Sequence, residues 1–106
     1  MNMVIQRIFG TSISGQSQAE VVTKRVSLEH IRHSLRQTLH DCTDVKAQRV
    51  LYQINTAKTA ADLWLVRSDL HQCIAQMHSE SIAAERINGL IRGFQGWLPS
   101  KQLTRI

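Results

Sequence analysis

The sequence predicts an all-α protein, a small up-down four-helix bundle with a flexible N-terminal segment. Three observations predict it. Apolar residues recur at three- and four-residue intervals through most of the chain, the spacing of a helix face rather than a strand. The stretches between these patterns are very short and hold Ser, Thr or Asp, the residues that cap helices, just before the next pattern, so neighbouring helices should pack antiparallel. No period-2 alternation rich in β-branched residues runs long enough to compete.

The elements follow in order. Residues 1–16 read as a flexible segment, because "GTSISGQSQ" is rich in Gly, Ser, Thr and Gln. Met1, Met3, Val4, Ile5, Ile8 and Phe9 make this segment more apolar than a plain tail requires. The reading preferred is a tail folded back on the body; the alternative is a short membrane- or partner-docking segment. The bundle domain spans 17–98. Its first helix is expected over about 18–41, with Ser17 and Glu20 forming a capping box and Ser27 as a second candidate cap. Leu28, Ile31, Leu35 and Leu39 then share one face. Val22 and Val26 fall on the opposite side, so either the helix kinks near Ser27 or its first turns bury a different face. Asp44 caps a second helix whose stripe is Ala47, Val50, Leu51, Ile54 and Ala57. Thr59 caps a third, over about 60–78, with Leu63, Val66, Leu70, Cys73, Ile74 and Met77 inward. A fourth follows "SES" and turns Ala83, Ile87, Leu90, Ile91, Phe94 and Leu98 to the core. Residues 99–106 form a basic C-terminal tail.

Composition supports one ordinary domain. The 106 residues are 42% hydrophobic and 20% charged, enough to bury a real core. The net charge of +5 is uneven. Residues 1–26 and 99–106 each carry +2, which leaves the body over 27–98 almost balanced. A nucleic-acid-binding fold should instead concentrate cations on one face of its body. Two cysteines, Cys42 and Cys73, make neither a disulfide scaffold nor a paired zinc motif; a reduced, cytoplasmic setting is the expectation. No run approaches the ~18 apolar residues of a transmembrane segment.

Catalytic and metal signatures are missing. There is no phosphate loop, dinucleotide fingerprint or nucleophile elbow, and the carboxylates are scattered, so no enzyme and no cofactor are expected. His33 and His40 lie two turns apart on the outer side of the first helix, ~10.5 Å, too far to share one ion. His71 and His78 are separated from Cys73, which points to the core face. No metal site is expected.

The best site candidate is a stripe on the third helix, where Trp64, Arg67, His71 and His78 run down one edge of the apolar face. Trp and Arg are favoured interface anchors. The competing account is that Trp64 covers the core's edge and Arg67 lies over it. The segment "GLIRGFQGWLP" adds a second candidate. Gly96 is expected to end the fourth helix in a left-handed conformation, with Trp97 folding back on Ile91 and Pro99 blocking continuation. Gly89 and Gly93 share one side of the helix and permit close approach of another backbone, whether the N-terminal segment, a helix or a second subunit. The leading expectation is therefore a non-enzymatic interaction or regulatory module that binds a protein partner or itself. Nucleic-acid binding through Arg32, Arg36, Arg49 and the basic termini is the alternative, not favoured. A secreted or membrane-associated factor is weaker still.

Overall fold

A computed structural model describes residues 25–106. It is all-α, with four helical runs and no strand among the described residues. The capping box at Ser17 and Glu20, the valine at position 22 and the apolar start of the chain lie outside the described residues.

The first run is α1, Leu28–Thr38. It does not extend back through Arg25, Val26 and Ser27, which are non-helical, so the expected 18–41 helix is shorter at both ends. Of the two candidate caps, Ser27 is the one used: its hydroxyl accepts the His30 amide at 3.0 Å. The far end closes at Thr38, a buried residue whose hydroxyl donates to Leu35 O at 2.7 Å. Tight turns then follow, with the amides of Leu39, His40 and Cys42 bonding three residues back. These turns swing Asp41 and Cys42 around the helix end.

The second run is α2, Val45–Thr56, capped by Asp44, which accepts the Ala47 amide at 2.9 Å. The third comprises α3, Ala60–Leu65, and α4, Arg67–Met77. A single helix was expected here. At Val66 the chain keeps right-handed helical angles, but its amide bonds back to Leu63 O, a 3₁₀-type step that breaks the α ladder. The fourth comprises α5, Glu80–Asn88, and α6, Ile91–Phe94. It breaks at Gly89–Leu90, where the Leu90 amide again bonds three residues back, to Ile87 O.

The core draws on all four runs. Ile31 and Leu35 of α1, Val50 and Ile54 of α2, Leu63 of α3, Leu70 and Ile74 of α4, and Ile87 and Phe94 of the last run are almost fully buried. Each lies on the stripe its periodicity predicts. Met77 is the exception: expected inward, it is 42% exposed at the end of α4. The short connection at His78–Ser79 makes α4 and α5 an antiparallel pair with the most extensive packing in the bundle, while α1 lies against α2, α3 and α6.

The C-terminal stretch departs from a helix early. Phe94 ends α6, so Leu98 packs against the core from outside any helix. Gly96 takes φ +88°, the left-handed conformation expected of it, but it does not end the helix, because Gln95 before it is already extended. Trp97 docks at the start of α1: its indole N–H donates to Val26 O at 2.7 Å, and the Arg25 guanidinium sits 3.8 Å above the ring. The final residues also return to the body. Leu103 packs on the core after a 3₁₀ turn over Ser100–Gln102, and the Ile106 amide donates to Asn88 Oδ1 at 2.8 Å.

Candidate functional site

The Trp64–Arg67–His71–His78 stripe does not form one site. Trp64 is only 4% exposed and meets Phe94 edge-on, ring centroids 5.1 Å apart. Arg67 lies 4.2 Å over the Trp64 ring, with its Nε buried and without a hydrogen-bond partner among the described residues. His71 faces Glu80 at 3.5 Å, and His78 faces Asp41 at 2.8 Å. None of the four lines the surface hollows described next.

Gly89 is common to three hollows. The first, about 220 Å³, lies between α1 and the last run, bounded by Val26, His30, Ile31, Ser34, Leu90 and Gly93 among others. A second, about 600 Å³, continues past Ser34 and Gly89 towards Gln37, His40, Ile82 and Arg86. A third opens beside Arg92, Leu103 and Arg105. Shared walls join the first two into one groove along α1. Its floor is apolar, its middle is lined by Ser34 and the two glycines, and its rim carries Arg86, Arg92, His30, His40 and Glu85.

The glycines are not buried under a neighbouring helix. A Cβ at Gly93 would meet only Ile31 Cγ1, at 3.9 Å; one at Gly89 would meet carbonyls of its own turn, at 3.4 and 3.5 Å. Close backbone approach by another described element therefore does not account for the pair. What their small size does is leave the groove open.

The cations named for nucleic acid divide. Arg32 donates to Ile54 O and Ala57 O at 2.6 and 2.8 Å, and Arg36 donates to Asn55 Oδ1 at 2.9 Å. Both therefore fasten α1 to the end of α2. Arg49 is exposed on the outer face of α2, near the helical positions of Val45 and Tyr52, which are 70% and 71% exposed.

One polar cluster was not visible in the sequence. Asp41 receives both Arg86 terminal nitrogens, at 2.9 and 3.0 Å, while Arg86 also donates to Thr38 O at 3.0 Å. His78 Nε2 lies 2.8 Å from Asp41 Oδ2 and His40 Nε2 lies 3.9 Å from it. The Cys42 thiol donates to Asp41 Oδ1 at 3.6 Å. The Arg86 hydrogen bonds, then its charge and those of His78 and His40, hold the Asp41 carboxyl well below the usual carboxylate range, against a desolvation that pushes the other way. The same contacts raise Arg86. Burial, followed by the Asp41 charge, pushes the Cys42 thiol up, and burial does the same to Cys73. Neither thiol is an activated nucleophile. Adjacent His, Asp and Cys at positions 40–42 were the one sequence signal available; His78 and Arg86 join them only through the fold.

No protein-family model, curated protein or solved structure matches this chain. Among the described residues no helix is long and apolar enough to cross a membrane.

Proposed function

We propose that this protein is a non-enzymatic interaction module whose groove between α1 and the last helical run receives an acidic, amphipathic segment of a protein partner. The observation that supports this reading is the open groove over Gly89 and Gly93, with an apolar floor and a rim bearing Arg86 and Arg92 against one carboxylate, Glu85, and Arg105 on the adjoining hollow. A partner helix laying small apolar anchors into the groove would meet cations along its flanks.

Charge also selects between occupants. A second copy docked by two-fold symmetry across the glycines would bring Arg92 towards its own equivalent. Residues 1–24 carry Arg7 and Lys24 against Glu20, the same sign as the rim. An acidic foreign segment has neither handicap. Arg32 and Arg36 are committed to α2, which makes a phosphate backbone the less favoured ligand. A reducing cytoplasmic setting remains the reading that the two unpaired cysteines favour.

The test uses a synthetic amphipathic peptide with Leu at i, i+4 and i+7 and Glu on both flanks, titrated into the full chain by fluorescence anisotropy. Binding should weaken with salt and weaken at least about tenfold in Gly93→Leu, which fills the groove. Undiminished binding to Gly93→Leu, or equal binding of a control peptide with Lys in place of each Glu, would overturn the reading. So would a dimer that Gly93→Leu dissociates, since the groove would then belong to a second copy.

A further inference from the structure

We propose that Asp41, Cys42 and His78 bind one divalent ion of the zinc class, with the fourth position open to His40, whose Nε2 lies 3.9 Å from Asp41 Oδ2. The inference is independent of the groove. One carboxylate oxygen, the Cys42 sulfur and one His78 nitrogen all lie within 4.8 Å of one another. They come from the turn after α1 and the corner between α4 and α5, so no sequence spacing announces them.

Tetrahedral zinc holds nitrogen, oxygen and sulfur at about 2.0–2.3 Å, which places ligand atoms roughly 3.2–3.8 Å apart. The Cys42–Asp41 separation of 3.6 Å already fits, and the 2.8 Å between Asp41 and His78 would open slightly. Sulfur and imidazole nitrogen beside a single carboxylate suit zinc, cobalt or nickel and not magnesium or calcium, which take oxygen shells.

Two outer contacts aim the donors. His40 Nδ1 lies 3.0 Å from Gln37 O, which assigns the proton to Nδ1 and leaves the Nε2 lone pair towards Asp41. Arg86 grips Asp41 through both oxygens, and as the metal takes Oδ2 it remains on Oδ1 as the outer partner of a ligating carboxylate. When the metal binds, the Cys42 thiol proton leaves to solvent, and the proton that His78 Nε2 shares with Asp41 leaves that nitrogen, so that the neutral ring keeps its one proton on Nδ1. The thiolate and Asp41 then offset the ion's two charges, and the retained Arg86 leaves the cluster with one net positive charge.

Cobalt(II) titration of the reduced full chain tests the proposal. The expected result is one equivalent bound, a thiolate-to-cobalt charge-transfer band, and displacement of that band by zinc. Cys73→Ser should keep the band and Cys42→Ser should lose it. His78→Ala, a change at a partly exposed side chain, should lower cobalt affinity at least about tenfold, with folding checked by circular dichroism. No band in the wild-type chain, or a band retained in Cys42→Ser, overturns the site. If Cys42→Ser does not fold, His78→Ala decides: unchanged cobalt affinity means that the cluster is a hydrogen-bonded clasp and not a metal site.

Discussion

Two glycines in one short segment have opposite physical meanings. Gly96 has φ +88°, and a Cβ built there would stand 2.9 Å from the Arg25 Cβ. Both the left-handed backbone and the contact exclude a side chain. Gly96→Ala should therefore destabilise the fold by at least about 1–2 kcal/mol and loosen the Trp97–Val26 clasp. Gly93 has ordinary helical geometry within α6 and only the 3.9 Å contact to Ile31. Gly93→Ala should stabilise by about 0.5–1 kcal/mol, because alanine loses less backbone entropy in a helix. Urea unfolding of the two variants checks both signs; a Gly93→Ala protein that is less stable would mean that the described geometry at α6 is not the one the chain adopts.

Helix identity was legible where the local physics is strong. Ser27, Asp44 and Thr59 are read as caps from residue type and position, and each accepts the amide three residues on. Ile31, Leu35, Val50, Ile54, Leu70 and Ile74 are read as core from periodicity, and all are buried. The breaks at Val66 and Gly89 were not legible, because both residues keep right-handed helical angles and only the hydrogen-bond step changes. Nor was the role of Arg32, which depends on a partner 22 residues away. The last turn of α2 contains no basic residue, so its carbonyls rely on α1. One Arg32 nitrogen, Nη1, serves both carbonyls while Nε holds Glu29 at 2.7 Å; Arg32→Lys keeps the charge but cannot hold Glu29 and both carbonyls in that fixed planar geometry. It should cost about 1–2 kcal/mol and speed amide exchange in the final turn of α2. Exchange confined to wild-type rates there would show that a single ammonium suffices.

At the scale of the whole molecule, Asp41 is the point where separate elements are tied. Through Arg86 it joins the end of α1 to α5, and through His78 it joins the end of α4. None of this was readable from a chain in which Asp41 and Arg86 lie 45 residues apart; it is a consequence of antiparallel packing that brings those helix ends to one place. The tie has a pH signature whose sign follows from the depressed carboxyl. A carboxyl ionised more readily in the folded than in the unfolded chain contributes stability above its unfolded pKa, about 3.9. That contribution drains away as pH falls below this value towards the folded one, because the unfolded chain binds the proton first. The urea midpoint of the wild-type chain should therefore fall with pH below about 4, measured with a chelator present so that no ion contributes. Asp41→Asn should begin lower at neutral pH, since its amide cannot accept the paired Arg86 bonds as a carboxylate does. It should then fall less steeply over the acid limb, and the two curves should converge. Parallel curves through that limb would assign the acid sensitivity to other carboxylates and remove Asp41 from the centre of the fold's electrostatics.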